Sequence, residues 1–364
     1  MTGLRKSAAF VLCLLAVFVA HAQKPNIKHA RLQESSASSG LKPALDSILQ
    51  KQSGTVWIGY RIPAVAKERT MCCLDSSEGW RSAASKCCLG CRMDSAHGGS
   101  FSGTDSNCSP PEPAPYAFVF LQAEDRHISK VRVFSAGCPL DFANLPLYWL
   151  EDVKPEQSID LLAGMALETG GGHWDRNRGH QAVMAIALHD VPAAEAALEK
   201  LIQPNQPERL RENAAFWLAV ERGKSGFELL HKYVKTDADD LFREKGTFAL
   251  SQSKEPEALK DLITMARADS SSRVRSQAIF WLAQVGGRKA AQQINDAIEN
   301  DPETAVKKKA VFALAQMHDG DSVQLLINVA RTNRNPAVKK EAIFWLGQSQ
   351  DKRALDYLEE ILTQ

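Results

Sequence analysis

Seven cysteines fall between residues 72 and 138, as Cys72-Cys73, Cys87-Cys88-x-x-Cys91, Cys108 and Cys138. Thiols in such a cluster can cross-link a loop-rich segment, hold a metal or run redox chemistry. In an exported protein the disulfide reading leads, with Cys72, Cys73, Cys87, Cys88, Cys91 and Cys108 as candidates. Neighbouring cysteines rarely bond each other, so cross-links from Cys72/Cys73 to Cys87/Cys88 are natural, and Cys91 with Cys108 is another possible pair. An odd number leaves at least one thiol over. Four thiolates from two short segments could also ligate a metal, but doubled cysteines replace the usual C-x-x-C knuckles. Cys88-x-x-Cys91 has a redox interval without the strand-to-helix context that such chemistry needs. His173, His180 and His189 lack helical ligand spacing, so no metal site and no cofactor is assigned.

Other chemistry is not in evidence. No nucleophile elbow, phosphate loop, zinc-protease helix or paired catalytic carboxylates occur, which favours a non-catalytic protein over an enzyme. A formal net charge of +1 with 24% charged residues gives no long-range pull on phosphate backbones, so nucleic acid is not an expected partner.

The start of the chain reads as an export signal over residues 1–22. Arg5 and Lys6 precede an apolar stretch from Ala8 to Val19, and Ala20-His21-Ala22 is a small-x-small cleavage site. That stretch is too short to span a bilayer, and no later segment is long and apolar enough. The expected location is therefore periplasmic or secreted, with no membrane insertion after cleavage.

Residues 23–40 are polar and Ser-rich and read as a flexible linker. A cysteine-rich α+β domain is expected over 41–150. Leu41 to Gln50 can form a helix. Thr55 to Pro63 alternates as a half-buried strand, with Val56, Ile58, Tyr60 and Ile62 inward and Arg61 outward. Tyr116 to Ala123 and Ile128 to Ala136 suggest an antiparallel hairpin, and Asp94 to Pro115 a loop. Residues 151–172 supply a capping helix, with Ile159, Leu162 and Met165, and a Gly-rich joint.

From His173 onward one pattern recurs six times at 32 residues. Ala182, Ala214, Gly246, Ala278, Ala310 and Ala342 form a small column, and Ile186, Leu218, Leu250, Leu282, Leu314 and Leu346 an apolar column four residues on. Two residues after the small column stand Met184, Phe216, Phe248, Phe280, Phe312 and Phe344. A second helix carries Leu198, Leu230, Leu262, Ile294, Leu326 and Leu358. A fixed period of this length means stacked units, none able to bury its apolar face alone.

Polar residues keep the same register. Asn205, Asp237, Asp269, Asp301 and Asn333 precede the cassettes, and Arg211, Arg243, Arg275, Lys307 and Lys339 follow six residues later. They can form either a basic stripe for an anionic ligand or a structural ladder between units. The ladder is favoured because each cation comes with its own Asx. Trp217, Trp281 and Trp345 alternate with Ala185, Ala249 and Ala313. Such a column either fills space left by its small neighbours or lines a face with indoles able to anchor a peptide or glycan.

This cassette resembles HEAT repeats, most plainly at Asp301-Pro302-Glu303-Thr304-Ala305-Val306-Lys307-Lys308-Lys309-Ala310. The short unit looks like the subtype also found in phycobilin lyase subunits. The resemblance covers 173–364 and implies a protein-binding α-solenoid without catalytic residues. The expected architecture is multidomain: six 32-residue HEAT-like helical hairpins preceded by the small α+β domain with its hairpin. The expected function is an exported scaffold for a protein or peptide. Alternatives are an enzyme or metal/redox protein using the front cysteines, bilin-lyase-like activity, or a structural envelope component. Export argues against chromophore attachment to a cytoplasmic antenna protein.

Overall fold

The computed structural model describes residues 24–65, 91–94, 114–168, 173–317 and 322–363. The export signal, the joint at Gly170–Gly172 and Cys72, Cys73, Cys87, Cys88 and Cys108 lie outside the described residues.

An α/β region comes first. Its elements are β1 (Asn26–Lys28), β2 (Arg31–Ser36), α1 (Leu41–Lys51), β3 (Val56–Pro63), β4 (Cys91–Arg92), β5 (Tyr116–Glu124), β6 (His127–Ser135), β7 (Pro139–Asp141) and β8 (Pro146–Glu151). A five-stranded sheet runs β2-β8-β3-β5-β6, and a three-stranded one β1-β7-β4. The hairpin expected from the alternating residues is β5 and β6, antiparallel with Phe118 opposite Phe134. β8 lies parallel to both β2 and β3.

Two sequence expectations change here. Residues 23–40 are not simply a linker: β2 is an ordered edge strand in register with β8, Arg31 opposite Pro146. Its side chains are all exposed, so backbone pairing holds it and no apolar alternation marks it. Nor is β3 half-buried. Ile58, Tyr60 and Ile62 enter one core while Trp57 enters another on the opposite face. Successive strand side chains point to opposite faces, and both faces of this sheet are covered. Gly59 makes room on the second face, where an added Cβ would lie 2.5 Å from Phe120 Cε1.

α2 (Pro155–Leu167) then leads to the helical region: α3 (His173–Leu188), α4 (Pro192–Ile202), α5 (Glu208–Glu221), α6 (Gly223–Thr236), α7 (Asp240–Gln252) and α8 (Pro256–Ala268). It continues with α9 (Ser272–Val285), α10 (Gly287–Asn300), α11 (Thr304–Ala315), α12 (Ser322–Thr332), α13 (Pro336–Gly347) and α14 (Lys352–Leu362). The helices α5, α7, α9, α11 and α13 lie side by side in sequence order, each touching the next. Their Leu and Ala columns are buried throughout, because helices this apolar around their circumference must be enclosed by neighbours. At Gly246 the helix α7 comes close to α6, and a Cβ there would lie 2.6 Å from both methyls of Val234.

The sheet and the helical region share one hydrophobic core, so the expected boundary at 150/151 does not separate two interiors. An uncovered apolar sheet face needs a second layer, and α2 and α3 supply it. Arg178 Nη1 donates to the Ile128 carbonyl at 2.8 Å, and Val131 N–H to Gln181 Oε1 at 3.1 Å. Val65 N–H also bonds the Leu188 carbonyl at 3.1 Å.

Candidate functional site

The regular polar columns close on themselves. Arg243 grips Asp269 through Nε at 3.0 Å and Nη2 at 2.9 Å, while Nη1 donates to the Asp237 carbonyl at 2.8 Å. Arg275 repeats this with Asp301 and the Asp269 carbonyl. Arg211 pairs with Asp237 one rung earlier. Each aspartate also caps its own turn, as when Asp301 Oδ1 accepts the Glu303 N–H at 2.9 Å. Burial alone would raise the Asp269 carboxyl, yet the Arg243 bonds, the Ser271 N–H and the charges of Arg243 and Arg275 together outweigh it and hold the pKa below the usual range. Further along the column, Lys307 Nζ donates to the Glu299 carbonyl at 2.6 Å and Lys339 Nζ to the Arg331 carbonyl at 3.1 Å. A charge-assisted network this enclosed ties links together and presents no open stripe to an anion.

The aromatic columns are different. Phe216 stacks on Phe248 at 5.8 Å between centroids, with planes 13° apart. Phe248 meets Trp281 at 4.9 Å, and Trp281 meets Phe280 edge-on at 5.0 Å. Phe280 stacks on Phe312 at 6.2 Å, Phe312 meets Trp345 at 5.0 Å, and Trp345 meets Phe344 at 5.1 Å. The result is a ribbon of touching rings crossing α5, α7, α9, α11 and α13.

Size explains the alternation. Trp281 and Trp345 lean back onto the phenylalanines beside Ala249 and Ala313, where the preceding helix has a small residue in the Trp column. Trp217 is only 2% exposed and therefore offers no ligand surface, contrary to a line of accessible indoles. Trp281 and Trp345 are half-buried. The rings that meet solvent most are phenylalanines instead, Phe248 at 38% and Phe344 at 53%. Large apolar side chains on a helix apolar all round are expected to be enclosed, which hides this column from a reading of spacing alone. The available signal was Phe248 beside the small Ala249.

Among the described residues, Cys91 and His189 have structural roles. Cys91 and Cys138 are buried and disulfide-bonded, which adds Cys138 to the expected set. Cys91 enters the sheet's second core from β4, and Cys138 lies just before β7. His189 is fully buried where α3 meets β3 and α2. Its Nδ1 donates to the Ala185 carbonyl at 2.8 Å, which leaves Nε2 to accept from Ser158 Oγ at 3.0 Å. Ser158 Oγ in turn accepts from the Tyr60 hydroxyl at 2.9 Å. Burial lowers the His189 pKa to about 4 and pushes the Tyr60 phenol above its usual range, so both are neutral. The chain of bonds locks three elements together and is sealed from solvent.

With this geometry in place, the helical region is a helical-repeat assembly built on a shared interior. Residues 194–283 and 291–364 match the family described as HEAT repeats, and this half of the chain is a HEAT-repeat region. No curated protein matches the chain. Among solved structures, human deoxyhypusine hydroxylase in complex with glycerol is similar at 17% identity, over 58% of this chain and 80% of that one, with a TM-score of 0.29.

Proposed function

We propose that this protein is an exported, non-catalytic scaffold that holds a protein or peptide on the surface of its HEAT repeats. The reading takes the repeat region as six 32-residue units and the mature chain as periplasmic or secreted, released from its signal after Ala22. One observation carries it: the ribbon of rings from Phe216 to Phe344 leaves apolar faces open to solvent on a rigid support. Large aromatic rings on a pre-organised surface are what protein recognition uses, since little conformational entropy is lost on binding. The charged columns are consumed internally, so they support architecture while the rings are left for contact. Disulfides in the front region fit the same oxidising location.

Proximity cross-linking in the native cell tests the reading. Photo-reactive groups placed beside Phe248 and Phe344 should capture one defined partner, while groups on the front α/β region capture it weakly or not at all. Capture of no partner from the repeat face would overturn it.

A further inference from the structure

We infer that the α11–α13 end of the aromatic ribbon binds an acidic segment in the extended polyproline conformation, with a carboxylate at every third residue. This deepens the scaffold reading and rests on it. Two observations, together with a general match of repeat lengths, select this partner chemistry.

The first is charge. Residues three and four apart share a helix face, so Lys308 and Lys309 lie one turn before Phe312, and Lys340 one turn before Phe344. All three lysines are exposed. Lys309 Nζ stands 6.0 Å from the Phe312 ring. The one carboxylate among them, Glu341, is already engaged by Lys308 at 2.9 Å and by the Trp345 indole N–H at 3.0 Å. The surface around the rings is therefore net positive, in a chain whose overall charge is only +1.

The second is ring geometry. Phe312, Trp345 and Phe344 form one unbroken surface at centroid steps of 5.0 and 5.1 Å, and Phe344 is more than half exposed. Pyrrolidine rings pack on such aromatic faces, and a polyproline segment is already extended before it binds.

The match is one of spacing. Packed helices stand about 8–10 Å apart. A polyproline helix repeats every three residues at ~3.1 Å each, roughly 9 Å. An acidic side chain at every third position then meets a lysine of α11 and again of α13 without any change of face. A β-strand turns its side chains over at every step and loses that match.

The test uses the full mature chain and fluorescein-labelled (Glu-Pro-Pro)4, read by fluorescence anisotropy. Binding should appear for this peptide, weaken with added salt, and be absent for (Lys-Pro-Pro)4. Phe344→Ser and Lys340→Glu should each weaken it at least about tenfold, with thermal unfolding unchanged because both side chains are exposed. Equal binding of (Glu-Gly-Gly)4 would overturn the polyproline assignment. Equal competition by dextran sulfate would overturn the peptide assignment in favour of any polyanion. No binding of (Glu-Pro-Pro)4, or binding unmoved by both variants, would overturn the site. A native partner still cross-linked through the repeats of the Phe344→Ser protein would then leave the scaffold reading standing, and loss of every cross-link in the unaltered protein would be that reading's own failure.

Discussion

Arg275 holds Asp301 by two parallel hydrogen bonds, Nε to Oδ2 at 2.7 Å and Nη2 to Oδ1 at 3.1 Å, with both side chains less than a tenth exposed. The remaining donor reaches back to the Asp269 carbonyl, and Asp269 is itself held by Arg243. Each arginine therefore joins the link before its own helix to the link that follows the next one. Removing Arg275 as Arg275→Ala would strand a buried carboxylate, and we expect a loss of about 3–5 kcal/mol in chemical denaturation. Asp301→Asn should cost less, because Oδ1 still caps the Glu303 N–H. A loss below about 1 kcal/mol for Arg275→Ala would show the rung to be incidental.

The ribbon should divide by burial. Trp217 is enclosed, so Trp217→Ala leaves a cavity and should cost about 3–5 kcal/mol. Phe344→Ser removes a ring that is more than half in water and should change stability by only about 0.5 kcal/mol. Denaturation midpoints for the two variants check this. If both were equally destabilising, Phe344 would be part of the packed interior and not a contact surface.

The half of the chain after His173 was legible because repetition multiplies a weak signal. One Leu says little, but Leu218, Leu250, Leu282 and Leu314 at a constant interval mark a buried face, and all four are buried. Which way each ring points was not legible. On a helix apolar all round, exposure depends on how neighbouring helices sit, and Trp217 and Phe344 carry the same kind of sequence pattern with opposite fates. β2 escaped notice for another reason. Arg31 to Ser36 buries no side chain, and its partner β8 lies far along the chain. Cysteine pairing has no local signature either, which is why Cys138 was left out of the candidate set although it is bonded.

Trp345 and Trp281 occupy equivalent places but are served differently. The Trp345 indole N–H donates to Glu341 Oε1 at 3.0 Å, one turn earlier on the same helix. The buried Trp281 N–H has no hydrogen-bond partner among the described residues. One turn before Trp281 stands Gln277. Gln277 offers a single amide oxygen, whereas Gln277→Glu makes both terminal atoms charged acceptors. The indole N–H should then gain a bond, and stability should rise by roughly 1 kcal/mol. Thermal melts of the two proteins measure it, and an unchanged or lower midpoint would mean the carboxylate does not reach the indole.

The sealed bonds from Tyr60 through Ser158 to His189 make the joint between sheet and repeats sensitive to acid. Burial holds the His189 pKa at about 4, with the Arg222 charge adding to the effect while the Ala185 bond and the Glu156 charge oppose it. In the unfolded chain the same imidazole takes a proton near 6.5. Between these values the unfolded state binds more protons than the folded one, so its population grows as pH falls. The contribution is complete above about pH 6.5, declines from there to about pH 4, and changes no further below. At ~1.4 kcal/mol per pH unit the loss reaches roughly 3 kcal/mol. A His189→Gln variant should be less stable at neutral pH but lose less on going from pH 6.5 to 4. Parallel urea titrations at the two pH values give the comparison. Equal losses in both proteins would mean that His189 does not set the acid sensitivity of this joint.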